Sequence, residues 1–205
     1  MCTVSFKERV KNEAIANAKL YKDNFIDFEY LVCSEAFENG YRIIKADKGN
    51  YLHLIGIHTE LTPEQFFDKC VSEELQETDF DFSKSGKSEK SVKGSVREKI
   101  IVLPDMVNLF AHQLSAEDNF KKNRVECAFT TSDNTCTLGF AISGRPKSLL
   151  KGNQLEKDKT KDVDLIFRKP RNDGELYKEL IWGKRSDIEK YKEAIGNLVS
   201  DVNHK

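Results

Sequence analysis

Two of the chain's four histidines, His53 and His58, stand in its most apolar stretch, Asn50-Tyr51-Leu52-His53-Leu54-Ile55-Gly56-Ile57-His58-Thr59. An imidazole titrates near neutrality, so it can take or give a proton at ordinary pH. Much further along, Arg145-Pro146-Lys147-Ser148 sets two cations and a hydroxyl in one short run. Such a set suits phosphodiester cleavage by a neighbouring 2′-hydroxyl without a metal. A base takes the hydroxyl proton, cations neutralise the phosphorane-like transition state, and an acid protonates the departing 5′-oxygen. His53, Arg145, Lys147 and Ser148 are therefore the candidate catalytic residues, with Thr160 as a further polar group. Each also has a plainer reading. His53 suits a core histidine bonded to backbone, Arg145 a surface loop, and Ser148 the cap of a short turn.

Two basic runs are candidates for contact with a nucleic-acid backbone. Lys84, Lys87, Lys90 and Lys93 recur every third residue in the polar segment 79–95, and Arg168-Lys169-Pro170-Arg171 forms a compact cluster. A lysine stripe on a helix can lie along phosphates, although it also suits a solvated face.

The elements that position these residues follow from periodicity. The stretch around His53, bounded by Asn50 and Gly56, reads as a strand buried on both faces, with Leu52 and Leu54 in the core and the two histidines on opposite faces. Residues 4–21 read as an amphipathic helix through Phe6, Val10, Ala14 and Ala18. Residues 25–33 read as a strand or short helix. Glu38-Asn39-Gly40 signals a hairpin leading into strand 41–46. Thr62-Pro63-Glu64-Gln65 is a helix start with a capping box and a proline at the first helical position. Val92, Val96 and Ile100 mark a further helix, which Pro104 should break. Residues 124–130, 135–142, 163–167 and 176–182 read as strands. Residues 143–150 read as a loop, 151–162 as an exposed connection, and 186–199 as a C-terminal helix. Alternating strands and flanking helices predict an α+β fold built on an antiparallel meander. The expected organisation is a single domain, 1–205. It comprises an N-terminal helix and hairpin (1–50), a core (51–182) and a C-terminal helix (183–205).

Lys and Arg number 33 against 34 Asp and Glu, a net charge of −1, which argues against a protein that coats DNA by bulk charge. No apolar run approaches the roughly 18 residues of a membrane span, and no secretory segment opens the chain. A cytoplasmic location is expected. The cysteines, Cys2, Cys33, Cys70, Cys127 and Cys136, are odd in number and lack ligand spacing, so they read as reduced thiols without structural zinc. Phosphate-binding loops, metalloprotease histidines and nucleophile elbows are absent. No cofactor and no metal are expected.

Five pieces, taken in order, resemble a phage barnase–EndoU–colicin–RelE-like nuclease family. They are Tyr51-Leu52-His53-Leu54-Ile55-Gly56, Thr62-Pro63-Glu64-Gln65-Phe66-Phe67, Leu138-Gly139-Phe140, Pro146-Lys147-Ser148-Leu149-Leu150 and Val163-Asp164-Leu165-Ile166-Phe167. Together they extend over residues 51–182. The resemblance implies helices packed on an antiparallel meander. It also implies metal-independent ribonuclease chemistry with a cyclic phosphate product, in a phage or mobile element. By position, His53 falls on the family's strand histidine, and Arg145 and Ser148 fall in its P-x-S-L-L region. No second catalytic histidine is assigned, because His58 faces away in the strand reading. Two functions compete. One is an RNA endonuclease, a toxin or conflict effector. The other is a non-catalytic anti-defence protein binding a host protein or nucleic acid. RNA is the expected partner of the first, and a monomer or small oligomer is expected in either case.

Overall fold

A computed structural model describes residues 4–174 and 176–200. Cys2 and the last five residues lie outside the described residues. Helix α1 (Phe6–Tyr21) starts at Ser5, whose Oγ accepts from the Glu8 amide at 2.9 Å. It buries Val10, Ala14, Ala18 and Tyr21, one stripe at i, i+4, i+8 and i+11. A π-helical turn, Lys22–Ile26, leads into strand β1 (Phe28–Cys33). The Asn39-Gly40 turn then returns the chain as β2 (Tyr41–Lys45), as expected.

The next element corrects the strand reading. Residues around His53 form helix α2 (Lys48–Ile55), followed by α3 (Pro63–Val71). The apolar run is amphipathic at helical period. Tyr51, Leu54 and Ile55 are fully buried, Leu52 is only half-buried, and His53 is exposed. His53 is therefore neither in a central strand nor in the core. Two caps mark the helix. At its start the Asp47 amide donates to Asn50 Oδ1 at 2.8 Å. At its end Gly56 takes the left-handed conformation (φ +82°) and donates to the Leu52 carbonyl at 2.8 Å. Tyr51 holds the helix down. Its ring packs on Tyr21 and Phe67, with centroids 5.0 and 5.4 Å away, and its hydroxyl donates to the Ala14 carbonyl at 2.7 Å. Helix α3 has the capping box its sequence announces, with Gln65 N to Thr62 Oγ1 at 3.2 Å and Thr62 N to Gln65 Oε1 at 2.9 Å.

Helix α4 (Glu89–Met106) begins after the Ser88 cap and runs through Pro104, contrary to the expected break. A proline so near the end of a helix removes only one internal hydrogen bond. Short strands follow: β3 (Ser115–Asp118), β4 (Lys121–Lys122), β5 (Val125–Glu126), β6 (Phe129–Ser132), β7 (Cys136–Phe140), β8 (Pro146–Lys151) and β9 (Lys161–Asp162). The run 124–130 is thus interrupted rather than one strand. Pro146 to Leu150 lies in a strand, not a loop. The chain ends with β10 (Leu165–Pro170), β11 (Glu179–Trp182) and α5 (Ile188–Ile195). The strands pair antiparallel in two sheets, β11-β10-β1-β2 and β8-β7-β6-β3-β9, and β4 and β5 form a separate hairpin. The α+β, antiparallel architecture agrees with expectation, with two sheets in place of a single meander. Cys33, Cys70, Cys127 and Cys136 are all buried. Burial pushes the Cys33 and Cys70 thiols up to about 12. Among the described residues no helix is long and apolar enough to cross a membrane.

Candidate functional site

The turn between β7 and β8 carries Arg145 to the start of α2. Gly144 makes this possible. It has φ +79°, and a β-carbon there would stand 2.0 Å from the Ile43 carbonyl oxygen. Only glycine permits both the conformation and the approach. The Gly144 carbonyl accepts from the Lys45 amide at 3.1 Å, so the turn is docked on the end of β2. Arg145 Nε then pairs with Asp47 Oδ2 at 3.0 Å. Arg171 pairs with the other oxygen of the same carboxylate and also donates to the Ala46 carbonyl. Asp47 therefore joins the N-terminus of α2 to two distant segments.

This junction floors a cleft of about 600 Å³ lined by Asp47, Lys48, Asn50, His53, Glu64 and Arg145, with Gly49 and Pro63. Helical spacing explains its inner wall. Gly49, Asn50 and His53 stand at i, i+1 and i+4, on the face opposite Tyr51, Leu54 and Ile55. The imidazole is thus held on a rigid helix and presented to solvent. His53 and Arg145, nearly a hundred residues apart in sequence, line one cleft, the first from a helix and the second from a turn. Arg145 commits only its Nε to Asp47. Its two terminal nitrogens have no partner among the described residues, and 61% of its side chain is exposed.

Lys147 and Ser148 do not line this cleft. Lys147 Nζ donates to the Glu126 carbonyl at 2.7 Å and so clips the β4–β5 hairpin to β8. Ser148 is half-buried and lies opposite Gly139 in the β7–β8 ladder. Thr160 donates to the Glu156 carbonyl at 2.7 Å. His58 lies apart, with its Nδ1 3.3 Å from Asp81.

The basic runs also divide. Lys84 and Lys87 sit on a turn (Lys87 N to Lys84 O, 3.1 Å) before α4 begins, whereas Lys90 and Lys93 are on α4. The stripe is therefore not one helix face. Lys93 pairs with Glu89 at 2.6 Å. Arg168 is held by Glu179 through two bonds of 2.7 Å and lies over the Phe28 ring. Lys169 stands 3.7 Å from Glu29 and over Tyr177. Arg168 edges a separate pocket of about 390 Å³ with Tyr30 and Phe110, away from His53. Of the second run only Arg171 reaches the candidate site. It lines a depression of about 410 Å³ that shares Asp47 and Lys48 with the cleft.

On its other side the cleft shares His53 with a smaller cavity, lined by Lys84, Lys87 and Lys99. A basic groove therefore runs from Arg171 past Arg145 and His53 to these three lysines. Asp47, Asn50, Glu64 and Lys99 were missed from sequence. Lys99 had a readable signal. It stands seven residues after Val92 and three after Val96, on the stripe that α4 buries, where a lysine is out of place. Among the described residues no three His, Cys, Asp or Glu side chains converge as metal ligands.

An α+β fold with a basic groove over an exposed histidine fits the class of small nuclease-like proteins. The chain belongs to the family described as phage-Barnase-EndoU-ColicinE5/D-RelE like nuclease4, whose model matches residues 15–195. No curated protein and no solved structure gives a significant match.

Proposed function

We propose that this member of a phage nuclease-like family is a metal-independent RNA endonuclease that cleaves by 2′-hydroxyl attack. The observation that carries this reading is the shared cleft of His53, on a rigid helix, and Arg145, with its terminal nitrogens uncommitted. In the step, the 2′-oxygen loses its proton and bonds to phosphorus, and the bond from phosphorus to the 5′-oxygen breaks. The products are a 2′,3′-cyclic phosphate and a 5′-hydroxyl. His53 serves one proton transfer. Glu64, the cleft carboxylate outside the arginine–aspartate junction, is our choice for the other. Arg145 meets the charge that builds on the phosphoryl oxygens. Lys147 and Ser148 take no part in the step as drawn.

A non-catalytic reading has two observations in its favour. Asp47 already occupies part of Arg145, and the chain as a whole is electrically balanced, as suits a protein that binds a host factor. Labelled total RNA, incubated with and without a divalent-metal chelator, separates the two. The enzyme reading expects cleavage that survives the chelator and is lost in His53→Ala at an unchanged melting temperature. Wild-type protein that leaves RNA intact from pH 5 to 9 would sink it.

A further inference from the structure

Lys99 is the residue of the groove whose chemistry is least satisfied. Its stem follows the buried stripe of α4, between Val96 and Ile100, and its amine comes up beneath the C-terminal end of α2. There Nζ donates to the His53 carbonyl at 3.0 Å. That bond suits a cation, since the last carbonyls of a helix carry partial negative charge. A carbonyl is still a neutral partner, and a half-buried ammonium gains from a counter-charge. Among the described residues no carboxylate pairs with Lys84, Lys87 or Lys99, although the chain has 34 acidic residues to draw on. Instead three cations gather around one cavity of about 90 Å³, walled by Leu52, Ile57 and Val92. Gly56 backs onto the amine, since a β-carbon there would stand 2.9 Å from Lys99 Nζ. Such a cavity has room for one small anion and little more.

We propose that the Lys84–Lys87–Lys99 cavity is a phosphate subsite that anchors a polynucleotide phosphate next to the one handled at His53 and Arg145. The placement beside a reacting phosphate rests on the nuclease reading above, while the anion site itself does not. Two features favour a phosphate over a carboxylate peptide. The cavity is small and closed on its apolar side. Lys84, Lys87 and Lys99, with Ser95 on the same lining, are residues whose side chains donate hydrogen bonds, as a tetrahedral oxyanion requires. The same groove explains why anchoring falls here. At Arg145 an incoming phosphate must compete with Asp47, whereas at Lys99 it meets no resident carboxylate. Burial together with the charges of Lys84 and Lys87 holds the Lys99 amine down to about 8, and a bound phosphate relieves that repulsion.

The test uses the full chain and a fluorescent single-stranded 2′-deoxy oligonucleotide. That probe carries the phosphates but lacks the attacking hydroxyl, so binding is read without cleavage. Lys99→Met keeps the stem and removes the charge, Lys99→Arg keeps the charge, and Lys121→Met on the remote β4–β5 hairpin is the control. Lys99→Met is expected to weaken binding roughly tenfold or more, as for loss of a charge-assisted contact, and to flatten its dependence on salt. It should melt no lower than wild type, since an apolar side chain suits that stripe. Lys99→Arg should bind within a few-fold of wild type, and Lys121→Met should match it. Equal binding by Lys99→Met and wild type, or equal loss in Lys121→Met, overturns the subsite. Inorganic phosphate is tested alongside. Competition by millimolar phosphate with oligonucleotide binding supports the site, whereas phosphate binding without oligonucleotide binding overturns the polynucleotide assignment. Wild type that binds through Lys99 but cleaves no RNA removes the nuclease reading and keeps the site. RNA cleavage with unaltered binding in Lys99→Met does the reverse.

Discussion

The two ends of the groove use cations in opposite ways. Around Asp47 the positive groups are answered at least in part. Arg145 and Arg171 share one carboxylate, and that carboxylate belongs to the residue that caps α2. Around Lys99 three positive groups meet a backbone carbonyl and no acid. The first arrangement holds structure together, tying the β7–β8 turn and the end of β10 to the start of α2. The second leaves charge to be neutralised from outside. A paired cation positions and an unpaired one waits for a ligand, and His53 stands between the two.

Four experiments break or sharpen this contrast. The largest expected effect is His53→Ala. If the imidazole transfers a proton, RNA cleavage falls by about 10²–10⁴-fold. Because the side chain is exposed, the melting temperature should hardly move. A large fall in stability together with activity would show instead that the histidine is structural.

Next comes Leu54→Ala, which removes a fully buried side chain from the inner face of the same helix. A loss of roughly 2–5 kcal/mol is expected in denaturant unfolding. These adjacent residues should thus separate cleanly, one costing activity and the other stability. An unchanged unfolding midpoint would contradict the packing of α2 described here.

Gly144→Ala attacks the paired end. The added methyl meets the Ile43 carbonyl, and the left-handed backbone angle disfavours alanine. We expect at least about 2 kcal/mol of destabilisation, from strain and a displaced turn. RNA cleavage should fall too, because Arg145 moves with the turn. Normal stability would mean that the turn is not docked on β2.

The smallest effect concerns pH at the unpaired end. Lys99 titrates near 8 in the folded protein and near 10.5 when free. Between these values the unfolded chain holds the extra proton, so this group adds stability as pH rises from about 8 to 10.5. His53 faces it from α2, and Lys84 and Lys87 face it from the turn before α4. Tyrosines with raised pKa values, Tyr30 among them at about 12, act in the opposite sense, but mainly above about pH 10. The measurement is therefore a difference. The melting temperature of wild type relative to Lys99→Met should climb from pH 8 to 10. A flat difference would show that Lys99 is not charged and repelled at neutral pH.

The two helices of the cleft show how far sequence alone reaches. For α3 the boundary was written in side chains, with Thr62, Pro63 and Gln65 each in its place. For α2 the signals were also present, Asp47 before it and Gly56 after it. They stood so close to turn-forming Gly49 and Asn50 that eight residues of apolar character matched a strand equally well. A short apolar run has no decisive period, and the choice fell to packing, because Tyr51, Leu54 and Ile55 point one way only on a helix. Pro146 to Leu150 shows the same limit. Its strand exists because β7 offers it a ladder, which no local pattern reveals.

What the sequence determined by itself is the α+β class, the resemblance to the nuclease family, the capped start of α3 and the choice of His53 and Arg145 as the residues to watch. These rest on local preferences and on residue types that carry chemistry wherever they stand. Only the tertiary structure decided that His53 faces solvent, that Arg145 shares Asp47 with Arg171, that Lys147 and Ser148 lie outside the cleft, and that Lys99 joins Lys84 and Lys87 at its edge. Each of these depends on which distant segments meet, and side-chain distances across a fold are set by packing that no stretch of sequence contains.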